Sequence, residues 1–324
     1  MENATSPFKF KLIKERYQIK DLIGQGASSY VYKALDLENN KLVSIKLIDF
    51  FDQEDLTLDL VKERLKFFRR EYELLKRVSH PNVINIFDSG IYEYKYPFIV
   101  MEFVEGKTLD RVISTANLTL KQICSFLNQL ALGLQAIHKQ GIIHRDLNPN
   151  NIWVSGSQEQ EQIKILDFGT AKIVYGTKDD AYLKTITTSG KIVGTLYYLS
   201  PEQCKYQELD ERTDIYSLAI TVYEMLSGHP PFNSVSPVMI AMGHMRLSPP
   251  AIANVANNIQ EVVFKALEKD PAKRFSTAIE FANAFEKAAN QMYVNDIDST
   301  ISKDKKLDSK IPSFWQTLSS WRKK

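Results

Sequence analysis

The stretch that most limits what this chain can fold into spans residues 142–169 and reads IIHRDLNPNNIWVSGSQEQEQIKILDFG. The apolar pairs Ile142-Ile143 and Ile152-Trp153 bracket a polar loop, and a third apolar run, Ile163 to Leu166, delivers Asp167, Phe168 and Gly169. A polar loop clamped between buried segments presents its side chains where strands end, so Asp146, Asn151 and Asp167 are expected at the rim of a core. Mg²⁺ is a hard cation that takes oxygen ligands, usually one or two from protein and the rest from water and phosphate. Asn151 and Asp167 suit that count. Phosphoryl transfer asks for positioning, charge neutralisation and one carboxylate to orient the attacking hydroxyl, a role that suits Asp146.

A lone Asp-Phe-Gly is ordinary turn chemistry. The order HRDLNPNN then DFG, however, resembles the catalytic and metal loops of eukaryotic-like (bacterial-type) serine/threonine protein kinases. The resemblance implies an α+β fold of two lobes: an N-lobe, residues 17–103, with an antiparallel five-stranded sheet plus one helix, and a mostly helical C-lobe, residues 104–288. It also implies ATP with Mg²⁺ or Mn²⁺ as cofactor, and protein substrates.

A length of 324 residues allows one large two-lobed domain or two ordinary ones with ample core, and 44% hydrophobic with 25% charged residues excludes a disordered or fibrous chain. A net charge of +2 gives no electrostatic footprint for nucleic acid. Cys124 and Cys204 show no metal spacing and read as reduced thiols. No apolar run reaches the roughly 18 residues of a membrane helix, and residues 1–16 lack a signal core. These features predict a cytoplasmic protein with a short leader.

In chain order, Tyr17 to Ile23 alternates as a strand and ends in the glycine-rich turn Gly24-Gln25-Gly26-Ala27-Ser28-Ser29-Tyr30-Val31. Such a turn lets backbone amides approach phosphate, although a hairpin with Gly at its tip is as common. The resemblance assigns Ile23, Gly24, Gly26, Ser29 and Val31 to nucleotide binding, with Ser29 replacing the family's third glycine. Leu42 to Ile48 reads as a strand carrying Val43-Ser44-Ile45-Lys46. A lysine there either faces water at an edge or needs a partner. The next helix, Asp59 to Val78, has a stripe of Leu65, Phe68, Tyr72 and Leu75, with Glu71 beside it. By resemblance Glu71 pairs with Lys46, Lys46 meets the α- and β-phosphates, and Ser44 lies near adenine.

Strands are expected over Val83 to Asp88 and Pro97 to Phe103. The second resembles the hinge between lobes, with Met101 guarding the back pocket and backbone of Glu102 and Val104 meeting adenine. A capping box at Thr119–Gln122 opens a helix that Gly141 stops. Between Gly169 and Glu202 lies a hydroxyl-rich stretch that the resemblance makes an activation segment, with Thr185, Thr187, Thr188 and Ser189 as candidate phosphosites and Arg145 as the phosphate's partner. Thr195 sits where the family's serine/threonine members carry threonine. Asp214 is implied as anchor of the catalytic loop, and Arg274 as partner of Glu202.

Two departures bear on activity. Asn148 stands where the family carries a lysine that neutralises the γ-phosphate, and Trp153 stands at the adenine floor in place of a smaller residue. An active kinase and a pseudokinase or nucleotide-gated scaffold both stay open on these residues alone. Residues 289–310 read as a polar linker. Beyond it, Ile311, Phe314, Trp315, Leu318 and Trp321 share one helical face ahead of Arg322-Lys323-Lys324. Residues 311–324 would then dock on a membrane surface, on a partner or back on the kinase domain. A homodimer is also left open.

Overall fold

The computed structural model describes residues 12–26, 29–49, 62, 65–66, 68–69, 72–73, 75–93, 96–157, 160–167 and 193–291. Six strands, β1 (Leu12–Ile13), β2 (Tyr17–Gln25), β3 (Ser29–Asp36), β4 (Lys41–Ile48), β5 (Ile86–Tyr92) and β6 (Tyr96–Glu102), form one antiparallel sheet in the order β1-β2-β3-β4-β6-β5. Residues 43–48 of β4 are all buried because this strand is central, between β3 and β6. Its apolar run therefore reads as continuous rather than alternating.

The predicted sheet had five strands. The sixth, β1, comes from residues read as leader. Lys14 and Glu15 turn the chain at φ +50° and +55°, and the Arg16 amide closes the turn on the Ile13 carbonyl at 3.1 Å. Hairpins of this kind normally announce themselves with Asn-Gly or Asp-Gly. Here the left-handed backbone is offset by burial of Ile13 against Tyr17, Ala34 and Phe98, and by Lys14 Nζ, which reaches Asp88 Oδ1 at 2.8 Å and the Ser89 carbonyl at 2.7 Å.

The described residues between 62 and 75 are helical (α1), and Phe68, Tyr72 and Leu75 bury the predicted stripe. The strand expected from Val83 starts later, at Ile86. Val83 is drawn off into a parallel bridge with Ile165, where Ile165 N–H donates to the Asn82 carbonyl (2.9 Å) and Ile84 N–H to the Ile165 carbonyl (3.0 Å). That bridge ties the end of the first lobe to the strand that delivers Asp167.

Past residue 103 come α2 (Leu109–Thr115) and α3 (Leu120–His138). Thr119 and Gln122 exchange the two bonds of a capping box, and Ile123, Leu127, Leu130, Leu134 and Ile137 face the core. A small sheet, β7 (Lys107–Thr108), β8 (Ile152–Ser155) and β9 (Gln162–Ile165), lies on this helix. Two short helices, α4 (Val193–Leu196) and α5 (Pro201–Cys204), precede α6 (Arg212–Ser227), which is buried from Thr213 to Met225 and stops at Gly228 in the left-handed region, φ +82°. Helices α7 (Pro237–Arg246), α8 (Asn257–Ala266) and α9 (residues 278–291) complete the lobe. Among the described residues no helix is long and apolar enough to cross a membrane.

Candidate active site

Sheet register assembles one wall of the site. Val31 pairs with Lys46, and Ser44 with Met101, so the residues following the glycine-rich turn lie beside the lysine strand and the hinge. Lys46 is 8% exposed. The edge-strand alternative is thus excluded, and the partner such a buried ammonium requires is Asp167, whose Oδ1 lies 2.8 Å from Nζ. Lys46 and Asp167 line a single hollow with Leu75, Ile84, Ile86, Ile99 and Met101. Met101 is 8% exposed, serving core and hollow together, whereas Ile23 is 48% exposed. Glu71, Phe168, Gly169, Thr185, Thr187, Thr188 and Ser189 lie outside the described residues, as do residues 311–324.

The catalytic-loop stretch is held by a few buried polar groups. Asp214, on α6, accepts from the amides of His144 and Arg145 at 2.8 Å each, and from His138 Nε2 at 2.7 Å. These bonds hold Arg145 at φ +68°, a conformation an arginine rarely adopts unaided. Burial alone would push the His138 imidazole down, yet Asp214 holds it above its ordinary value. Asp214 is correspondingly held low against the upward push of burial, first by His138. His144 Nε2 meets the Leu166 carbonyl at 2.8 Å and its Nδ1 receives the Asp146 amide at 3.3 Å. A carbonyl only accepts and an amide only donates, so the ring's proton sits on Nε2.

Asp146 is clamped by two carboxamides. Asn148 Nδ2 donates to Oδ1 at 3.1 Å and Asn151 Nδ2 to Oδ2 at 3.0 Å, while both also reach the Asp146 carbonyl. Asn148 Oδ1 meanwhile accepts from the Asn150 amide at 3.0 Å and caps the single turn Pro149–Asn151. Burial raises the Asp146 carboxyl above its ordinary value, with Asp167 adding to the rise, and His144, Asn151 and Lys46 opposing it. The His144 ring on the Leu166 carbonyl and the Leu166 amide on the Asn151 carbonyl, 2.8 Å each, tie the Asp146 loop to the strand end that carries Asp167, the partner of Lys46.

The donor set fits a hard divalent cation. With Nδ2 of Asn151 committed to Asp146, the atom it has left to offer is its carbonyl oxygen, and Asp167 brings a carboxylate; both are oxygen ligands.

Trp153 projects from the face of β8 opposite the buried Ile152 and Val154, paired with Lys164 and Thr108. Among the described residues its Nε1 is buried without a hydrogen-bond partner, and it lies against Gly106 just past the hinge, where an added Cβ would stand 2.7 Å from it and would strike the Val154 carbonyl. Gly106→Ala is therefore expected to lower stability by about 1–3 kcal/mol through overpacking, read by thermal denaturation. An unchanged midpoint would mean that the indole and the Val154 backbone both yield freely.

Two supports were not anticipated from sequence. Gln203 Nε2 donates to the Arg145 carbonyl at 2.8 Å, and Ser200 and Gln203 form a capping box; Ser-x-x-Gln was the readable signal. At the hinge, Glu102 Oε1 accepts from Lys164 Nζ at 2.8 Å and from the Asn85 amide at 2.9 Å. Arg274 meets Glu202 through two bonds of 2.8 Å, both side chains buried.

A family model described as the protein kinase domain matches residues 17–294. A probable serine/threonine-protein kinase of Clostridium perfringens is 36% identical over 284 residues, 86% of this chain and 39% of the relative. Serine/threonine-protein kinase PrkC of Bacillus subtilis is 33% identical over 308 residues, 93% of this chain and 45% of PrkC. Serine/threonine-protein kinase PknB of Mycobacterium tuberculosis is 34% identical over 278 residues, 83% of this chain and 42% of PknB. The chain thus spans less than half the length of these relatives.

Proposed function

The chain belongs to the protein kinase domain family, and from that premise we propose that it transfers the γ-phosphoryl group of ATP to serine or threonine hydroxyls of proteins. The observation that carries this reading is the 2.8 Å pairing of Lys46 with Asp167 inside a hollow whose electrostatic neighbour is the doubly clamped Asp146. Asp146 orients the acceptor hydroxyl and takes its proton. A carboxyl raised by burial is a better proton acceptor than an exposed one. Lys46 holds the non-transferred phosphates. Val31, Ser44, Met101, Trp153 and the backbone of Glu102 and Val104 bound the base, and Thr195 stands on the acceptor side. Mg²⁺ held by Asn151 and Asp167 would neutralise charge on the phosphates.

Asn148 supplies no cation, yet it is bonded into the loop at both ends of its amide. This supports a working role in holding Asp146 and gives the scaffold alternative no observation of its own. Radiolabelled ATP with a generic basic protein acceptor tests the proposal. Wild type is expected to transfer label; Asn148→Lys gains a cation for the γ-phosphate, worth up to about 10²-fold, but loses the clamp on Asp146, so its net rate reads which of the two dominates. Silence in wild type with activity in Asn148→Lys would establish the scaffold instead. Residues 311–324 are proposed to dock on an anionic membrane surface; equal liposome co-sedimentation of full chain and a chain ending at Lys310 would remove that idea.

A further inference from the structure

The turn on the acceptor side, α4 and the residues to Leu199, rests on α7 through Leu196, Leu199 and Ile240. Within that apolar contact α7 carries a polar residue, His244, with 0% exposure. Burial pushes its imidazole down to about 3, with the Lys269 charge adding to the shift, so the ring is neutral and carries one N–H and one lone pair.

Its neighbours decide which nitrogen holds the proton. The Tyr216 hydroxyl, from α6, lies 3.0 Å from His244 Nδ1, and Lys269 Nζ lies 3.4 Å from the same hydroxyl and 3.2 Å from the Gly243 carbonyl. An ammonium can only donate, so the hydroxyl accepts from Lys269, and among the described residues its own proton has His244 Nδ1 as the acceptor within reach, which fixes the direction of that bond. The imidazole proton is left on Nε2, which is buried with no hydrogen-bond partner among the described residues. His244 lies one turn past Ile240 on α7 and so faces the same turn on which Leu196 and Leu199 pack, and the backbone of Leu196 and Tyr197 pulls the ring toward protonation. A buried donor facing that turn without a partner calls for an explanation, and contacts in resting sites commonly tighten only in the complex.

The geometry points to His244 as a positioning residue for the protein acceptor: when a Ser/Thr segment occupies the turn carrying Thr195, a carbonyl of Leu196 or Tyr197 closes onto His244 Nε2–H. Tyr216 and Lys269 keep the ring in the tautomer that makes this possible. The inference rests on the kinase reading and adds a determinant of acceptor affinity that does not touch the nucleotide.

Nitrogen-15 NMR of the full chain with labelled histidine tests the tautomer without any turnover. Wild type should show His244 protonated at Nε2. Saturation with a pool of serine- and threonine-centred peptides, in the presence of a non-hydrolysable ATP analogue, should shift that proton downfield. Tyr216→Phe should mix the tautomers. In steady-state transfer assays, Tyr216→Phe and His244→Ala should raise the acceptor KM about fivefold to tenfold, the worth of one hydrogen bond, with the KM for ATP unchanged. His244→Gln, which restores an N–H at a similar reach, should recover most of the loss. Proton on Nδ1 in wild type, no shift on peptide saturation, or a loss shared equally by ATP would overturn the proposal. Failure of wild type to transfer phosphate at all would sink the kinase reading, while the NMR result would still decide the tautomer and the latch. Should His244→Ala not fold, Tyr216→Phe and His244→Gln carry the comparison.

Discussion

Asp146→Asn is expected to reduce phosphoryl transfer by about 10²–10⁴-fold, the range lost with a general base. The effect has two sources. The carboxamide cannot take the hydroxyl proton, and it cannot satisfy the loop that surrounds it. Both carboxylate oxygens accept from amide N–H groups, Oδ1 from Asn148 and Oδ2 from Asn151. In either orientation an asparagine here sets its own NH₂ against one of those donors. A stability loss of about 1–3 kcal/mol should therefore accompany the loss of activity. Radiolabel transfer measured beside thermal denaturation and fluorescent-nucleotide binding separates the parts. Transfer at the wild-type rate would remove Asp146 from the chemistry.

Arg274→Ala is expected to cost about 3–5 kcal/mol of stability, the scale of breaking a buried ion pair from one side. Arg274 and Glu202 are 0% and 3% exposed at their side chains, and the fork also serves the carbonyls of Glu268 and Arg212. Removing the guanidinium leaves a carboxylate with, among the described residues, the Thr213 hydroxyl as its remaining side-chain donor, at 2.8 Å. Arg274→Lys should recover only part, because an ammonium cannot form both bonds of the fork. The pH dependence follows from Glu202. Burial alone would raise its carboxyl, but Arg274 holds it below its ordinary value. A lowered folded value contributes stability that is present above the unfolded value, about 4.3, and is lost as pH falls through the folded one. Chemical denaturation from pH 7 down to 3 should show that acid loss in wild type and a shallower one in Arg274→Ala. Parallel curves would mean the pair is not coupled to folding.

Local patterns carried most of what could be read in the chain. Thr119 and Gln122 marked a helix start, and the apolar run from Ile163 to Leu166 marked a strand that delivers Asp167 to the rim of the hollow. The misses share a cause: the partner lies far away in sequence. Val83 reads as strand by its neighbours but is claimed by Ile165, and Lys14 is claimed by Asp88, 74 residues on. Asn148 illustrates a different limit. From its position it looked like a lost cation, and only the geometry shows its amide spanning Asp146 and the following turn.

The β1–β2 hairpin bears on how this kinase domain can be excised. Cutting before Tyr17, where the family match begins, would open the slot that Ile13 fills and strip Asp88 of its ammonium, leaving, among the described residues, the Tyr17 hydroxyl as its side-chain donor at 3.0 Å. A recombinant fragment meant to keep the full sheet should begin upstream of Leu12, and one begun at Tyr17 should melt at a lower temperature.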